Sequence, residues 1–247
     1  DRDRRPHLRD DALVPPIALR LALRGCGVDG RHTRDGRTGR AAAHPWRRAA
    51  WLRDNYGRRA LRLRRSEAML IFSMSVSVDG FIADENDDIG PLFDWYFNGD
   101  TPLTDGSNFR VSEASAAYVR STWEGVGSMV IGRHLFDIMN GWDGQPPAGD
   151  HVVVVSHRPK PDGWHPEASY HFIDDVTQAV AQASELAGER TVTVAAGNVG
   201  GQALDLGLVD EVALDVVPVV FGAGKRYFGS VDTQHLLEDP HLVLQGS

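Results

Sequence analysis

Three short stretches of this chain have residue types suited to holding phosphate: Gly132-Arg133-His134, Ser156-His157-Arg158 and Gly197-Asn198-Val199-Gly200-Gly201. Each follows an apolar run (SMVI at 128–131, HVVVVS at 151–156, TVTVA at 191–195). The first and third join such a run to a helical pattern. A helix start built from small residues offers free N–H groups and a partial positive charge. The second adds a hydroxyl and a guanidinium at a strand end. Ligands of open α/β sheets bind beyond the carboxyl ends of strands, so these donors together suit a pyrophosphate and one further phosphate, as in a dinucleotide. The plainer alternative is that the glycines only make tight turns and the arginines are solvated. Three such loops at three strand ends weigh against it.

Other candidates carry less chemistry. Asp79 ends the first strong strand and could orient a substrate, although an Asp-Gly pair is also an ordinary turn. Trp95 and Trp142 could wall a pocket for a flat ring, or simply fill core. No GxGxxG follows the first strand, and GxxxxGK[ST] and GxSxG are absent. Gly222-Ala223-Gly224-Lys225 reads as a turn. His151, His157, His165 and His171 have no metal-ligand spacing, so no metal is expected.

The elements that must position these loops alternate. LIFSMSVSV (70–78) is a β-type run stopped by Asp79-Gly80. Residues 112–124 suit a helix capped by Ser112, and 175–187 form a clearer one, with Val176, Ala179, Val180, Ala183 and Ala187 at helical spacing, Asp174 as cap and Gly188 as stop. HVVVVS is the continuous apolar run of a buried parallel strand. YHFI (170–173), EVALDVVPVV (211–220) and HLVLQ (241–245) are further strands, with Pro218 bending one or placing it at an edge. A glycine-rich turn is expected at 197–201 and a short helix at 202–206. Strands alternating with helices predict an α/β domain with a largely parallel sheet covered on both faces.

Charge divides the chain of 247 residues. Residues 1–68 hold 18 Arg, no Lys and 8 acids, for a formal charge of +10, and the rest carries −18 within a total of −8. A segment so charged and so poor in large apolar residues is not expected to offset its ordering entropy. Only PPIALRLALRG is locally apolar, interrupted by Arg20 and Arg24. Residues 1–68 are therefore expected to be a mistranslated region upstream of Met69, a disordered tail, or an arm for acidic partners. Absence of Lys favours the first, and the segment is expected to contribute nothing to folding. The net negative charge argues against nucleic acid as a partner. No apolar run approaches the ~18–20 residues of a membrane span. One cysteine, Cys26, fits a reducing, cytoplasmic setting.

The blocks SMSVSVDGFIADENDDIGPL, MVIGRHLFDIMNGW, VVVVSHRP and GLVDEVALDVVPVVFGAGKRYF, in this order, resemble the dihydrofolate-reductase-like family. They most resemble the bacterial proteins grouped with the reductase domain of the bifunctional riboflavin-biosynthesis deaminase-reductases. The resemblance covers about 69–246. It implies a three-layer fold with a mixed, mostly parallel central sheet and flanking helices, NADPH as hydride donor, a small pterin- or pyrimidine-like substrate, and a homodimer. It places Val78 to Ala83, including Ile82, beside the nicotinamide. Gly132, Arg133 and His134 would hold phosphates, Ser156, His157 and Arg158 would lie near the adenosine 2′-phosphate, and Gly197 to Gly201 would cradle the pyrophosphate. Asp94 lies roughly where a pterin-binding carboxylate is found. Ala195-Ala196 stands where the family often has Gly-Gly. The family continues past HLVLQGS into one more strand, so an open sheet edge is expected at 241–247. The reading is an NADPH-dependent reductase over 69–247; the alternative is a nucleotide-binding protein of the same fold without turnover.

Overall fold

The computed structural model describes residues 17–22, 68–104 and 108–245. Twelve strands follow in chain order: β1 Ile17–Ala22, β2 Leu70–Ser77, β3 Phe81–Ala83, β4 Thr101–Pro102, β5 Arg110–Val111, β6 Val126–Gly132, β7 His151–Val155, β8 Tyr170–Ile173, β9 Thr191–Ala195, β10 Glu211–Val217, β11 Lys225–Arg226 and β12 Leu242–Gln245. The helices are α1 Glu113–Glu124, α2 Arg133–Ile138, α3 Val176–Ala187 and α4 Asn198–Asp205, with 3-10 segments at Gly90–Phe97 and Asn140–Gly144.

Eight strands form one sheet in the order β12-β1-β10-β2-β9-β6-β7-β8. The six from β10 to β8 are mutually parallel, and β1 runs antiparallel to both neighbours. The expected mixed, mostly parallel sheet with helices on both faces is what forms. β7 runs through four consecutive valines because its centre is buried on both faces: Val152, Val153 and Val154 are fully enclosed. β10 ends at Val217, one residue before Pro218, which has no N–H to continue the ladder. Ser112 caps α1 as expected. Helix α3 is capped by Asp175 rather than Asp174 and stops at Gly188, whose φ of +64° suits glycine.

One face of the sheet packs on α3 and α4 through Phe72, Val130, Val153, Ala179, Ala183, Val194 and Ala203. The other face carries two separate covers. Leu92, Trp95, Val111, Ala116 and Val119 pack with Val217 at the β10 side. Phe136, Tyr170, Trp142 and Trp164 lie over Ile131, Val152 and Val154.

The expectation that residues 1–68 contribute nothing to folding is corrected at 17–22. These residues form β1, inserted between β10 and β12 with six residue pairs on one side and four on the other. The reason is a period-2 pattern hidden by the arginines. In Ala18-Leu19-Arg20-Leu21-Ala22, the leucines face the side of Val212 and Leu214, while Ala18, Arg20 and Ala22 face the side of Glu211, Ala213 and Asp215. Arg20 is 14% exposed and donates to Glu211 Oε1 at 3.0 Å. The charge that seemed to forbid burial is paired. HLVLQ supplies β12, which pairs on its inner side with β1 and, among the described residues, is an edge of the sheet. Cys26 and the other residues of 1–16 and 23–67 lie outside the described residues, as do 105–107, Gly246 and Ser247.

Candidate active site

β6 ends at Gly132, which opens α2, and β9 leads through Ala196 to Gly197, which opens α4. A Cβ on Gly132 would stand 3.2 Å from Val199 Cγ2, and one on Gly197 would stand 3.4 Å from Ile82 Cδ1. Ile82, Gly132, Gly197 and Val199 are thus brought together at the carboxyl ends of central strands. Neither α2 nor α4 has a side-chain cap or an acid in its first turn. By contrast, α1 and α3 are capped by Ser112 Oγ and Asp175 Oδ1 on the N–H groups of Ser115 and Gln178, at 3.2 and 2.8 Å. The two helix starts that meet leave their first N–H groups without a side-chain cap, an arrangement of the kind that suits an anion.

The expected glycine-rich turn at 197–201 is corrected: residues 198–201 are already the first turn of α4, which ends at Asp205. Gly200 and Gly201 are buried, and a Cβ on Gly200 would meet Phe72 Cε2 at 2.5 Å and the Ala195 carbonyl at 2.7 Å. These two glycines let the helix lie close on β2 and on the Phe228 backbone. Asn198 is exposed, with Oδ1 accepting from Ser230 Oγ at 3.2 Å. Val78 is exposed, its N–H on the Val219 carbonyl at 2.9 Å, and Ala83 is buried.

The side chains of the two stretches 132–134 and 156–158 differ in their surroundings. Arg133 is folded inward: Nε donates to Asp137 Oδ1 at 2.7 Å, Nη1 reaches the carbonyl of Pro159 at 3.1 Å, and the guanidinium lies over Phe136 and Phe172. Ser156 Oγ is absorbed in a turn, accepting from the Arg158 N–H at 2.9 Å. Arg158 and His157 are exposed, and Arg158 Nη2 reaches Asp137 Oδ2 at 2.7 Å. Hydrogen bonds from Arg133, then Arg158, hold the Asp137 carboxyl below its ordinary range. His134 is exposed and meets Asp87 Oδ1 at 3.0 Å.

Between the two covers, the floor is unusually open for central strands. Ser73 of β2, Met129 of β6 and Thr193 of β9 are only half-buried although they sit mid-sheet. Trp95 stands on one side, its Nε1 donating to Ser75 Oγ at 3.3 Å. Trp142 belongs to the cover on the other side. It rides on a left-handed turn in which Asn140, Gly141, Trp142 and Asp143 all have φ between 46° and 53°. Left-handed backbone at non-glycine residues is costly and persists only where neighbours impose it. Here Tyr170 Oη donates to the Gly141 carbonyl at 2.7 Å, and Trp164 Nε1 to Asn140 Oδ1 at 3.3 Å. Trp95 is buried in the core of the first cover and Trp142 is half-buried against the second, so the two tryptophans belong to different clusters on either side of this strip. Asp94 is exposed on the 3-10 helix beside Trp95.

Asp79 is a brace. Its carboxylate accepts from Ser77 Oγ at 2.6 Å and from the N–H groups of Phe221 and Gly222 at 3.2 and 2.7 Å. The Ser77 hydrogen bond leads in holding its pKa down. It ties the end of β2 to the loop after β10. Sequence reasoning passed over Asp215, a buried carboxyl on β10 beside Ser75 in register. Burial pushes it up to about 6, and Tyr118 Oη donates to it at 3.0 Å. The available signal was its place in EVALDVVPVV, four residues from Glu211 and so on the same face. Of the four histidines, His151 and His171 stand with ring centres 5.8 Å apart, while His157 is exposed and His165 lies against Trp164.

A family profile described as RibD C-terminal domain matches residues 68–247. The chain belongs to this family. The match ends the choice among α/β folds left by the strand pattern, and it carries the reductase-type character of the domain. No curated protein matches the chain. Solved structures similar to it include a putative riboflavin biosynthesis protein from Shewanella sp. PV-4, at 22% identity over 68% of this chain and 86% of that one, with a TM-score of 0.47. Dihydrofolate reductase from Enterococcus faecalis, complexed with NADP(H), is 18% identical over 67% and 81%, with a TM-score of 0.41. A diaminohydroxyphosphoribosylaminopyrimidine deaminase/5-amino-6-(5-phosphoribosylamino)uracil reductase from Thermotoga maritima is 14% identical, with a TM-score of 0.43; the similarity covers 68% of this chain and 50% of that one. Among the described residues no helix is long and apolar enough to cross a membrane, and no group of three His, Cys, Asp or Glu side chains could hold a metal.

Proposed function

We propose that this RibD C-terminal domain protein is an NADPH-dependent reductase of a small, flat, pyrimidine- or pterin-like heterocycle, working in the cytoplasm. The observation that carries the reading is the meeting of two uncapped helix starts at Gly132 and Val199, beside Ile82 and next to the open strip of Ser73 and Thr193. The residues fit the cofactor. The first N–H groups of α4 and α2 suit its pyrophosphate, Arg158 and His157 are the exposed groups for an adenosine 2′-phosphate, and Ile82 gives an apolar contact for a ring. When bound, NADPH supplies the hydride.

The chain's own residues bind and orient. The serine and threonine side chains of the floor are small enough to admit a planar ring and offer hydroxyls to its edge. Trp95 and Trp142 exclude water from its sides. Asp79, held ionised by its three donors, fixes the end of β2 and is assigned a positioning role. Positioning of this kind supplies much of the barrier reduction in a bimolecular transfer.

The test is NADPH oxidation, followed at the reduced nicotinamide absorbance, against a panel of pterins and pyrimidine intermediates, with cofactor binding measured in parallel. Oxidation with one of these substrates supports the reading. Tight NADPH binding with no turnover on any of them would instead support the nucleotide-binding alternative.

A further inference from the structure

β1 is the first described strand of the chain, yet it lies between two of the last. The six strands β10-β2-β9-β6-β7-β8 pair with one another without it. β12, in contrast, has β1 as its sheet neighbour, and the turn leading into it is also tied to β1: the N–H of Glu238 donates to the Ala22 carbonyl at 2.8 Å and that of His241 to the Arg20 carbonyl at 3.0 Å. The parallel body is therefore paired without β1 except along the outer side of β10, and β1 and β12 form a unit added at that edge.

The slot is chemically specific. Glu211 and Asp215 point to the same face of β10, and both are buried. Ala18 stands opposite Asp215, Arg20 opposite Ala213 and Ala22 opposite Glu211. Two alanines leave room for the two acids, and the arginine enters between them. Its Nη1 donates to Glu211 Oε1 at 3.0 Å, its Nη2 to Thr122 Oγ1 at 2.9 Å, and its guanidinium lies over the Tyr118 ring at 5.6 Å. His241 Nε2 reaches Glu211 Oε2 at 3.2 Å from the other side. A one-residue slip would turn Arg20 toward the apolar face, and a two-residue slip would set it against one acid and leave the other alone.

We propose that the gap between β10 and β12 is a strand-receiving site for an extended apolar segment with one central arginine, and that residues 17–22 occupy it as an exchangeable insert. The site recognises its strand by main-chain pairing on both sides and reads its register by the arginine between Glu211 and Asp215. This inference does not rest on the reductase reading, and its test does not use activity.

The test uses the full chain and a fluorescent peptide of residues 15–24, with a second peptide carrying alanine in place of Arg20. Binding is followed by anisotropy up to ~1 mM, the order of effective concentration of a tethered segment. In the Arg20→Ala chain the resident strand loses its charge contact, so the arginine peptide should bind at least tenfold more tightly than to the wild-type chain. The alanine peptide should gain by the same factor over the wild-type chain, because the competing strand is weaker for both, yet bind the Arg20→Ala chain at least tenfold more weakly than the arginine peptide does. Equal binding of both peptides to the Arg20→Ala chain, or binding of neither, would overturn the proposal. Hydrogen exchange on the wild-type chain gives a second readout independent of that variant. The amides of 17–22 and of β12 should exchange together and at least tenfold faster than those of β2 and β9. Exchange of 17–22 at the β2 rate would show a permanent strand, and no protection at all would show an empty slot.

Discussion

At the scale of single residues, the two arginines singled out for phosphate do different work. Arg133 is half-buried in a net of carbonyls, an acid and two rings, whereas Arg158 presents its guanidinium to solvent. Charge-assisted contacts to phosphate contribute roughly 1.5–3 kcal/mol. Arg158→Ala should therefore weaken NADPH binding by about tenfold to a hundredfold while leaving NADH nearly unchanged. Arg133→Ala should lower the melting temperature of the cofactor-free protein. Calorimetric titration with both cofactors, alongside thermal melts, separates the two effects. A second residue-scale expectation concerns Asp215. Its folded pKa, raised to about 6 by burial, lies above the ordinary value of 3.8. The folded state thus favours the protonated form. That contribution is fully present below pH 3.8, is lost as pH rises to about 6, and above that the buried charge is a net cost. Asp215→Asn should accordingly stabilise the protein at pH 8 by on the order of 3 kcal/mol relative to its effect at pH 4. Melts of both proteins at the two pH values check the sign.

At the scale of elements, two features set the site. Helix α4 approaches the sheet closely only because Gly200 and Gly201 have no side chains. Gly200→Ala would drive a methyl into Phe72 and the Ala195 carbonyl. It should cost about 1–3 kcal/mol of stability, as overpacked positions do, with the loss visible in denaturant melts without any cofactor. The second feature is β1. Deleting residues 1–22 removes the inner partner of β12 and leaves Glu211 and Asp215 without Arg20. The melting temperature should fall by several degrees, and differential scanning calorimetry of the deleted and full chains measures it. An unchanged melt would mean that β1 adds nothing to the fold.

At the scale of the whole molecule, the sheet has two edges among the described residues, β8 and β12. The β12 edge carries Val243, 60% exposed, and has no strand beyond it among the described residues. Such an edge invites a second strand. We therefore retain the homodimer as a proposal, formed through this edge. Light scattering should show a dimer, and Val243→Lys, which places a charge on the edge, should shift it toward monomer. A monomer at high concentration in the unsubstituted protein would remove the proposal.

What the sequence determined by itself was whatever depends on local pattern. Apolar runs such as HVVVV could only be buried strands, Ser112 could satisfy a helix start one turn away, and a strand must end before Pro218. The strand ends bearing Gly132, Ser156 and Gly197 were legible for the same reason, because glycine and small polar residues punctuate apolar runs. The tertiary structure decided what depends on partners far away in the chain. Arg20 reads as a solvated charge until Glu211, 191 residues on, is set beside it. Gly200 reads as a turn residue until Phe72 is packed against it. Arg133 reads as a phosphate ligand until the Pro159 carbonyl and Phe172 are found around it. Asp215 reads as a polar interruption until Tyr118 is brought over from α1. A charge or a glycine in sequence has several stable solutions, and only the neighbour supplied by the fold selects among them.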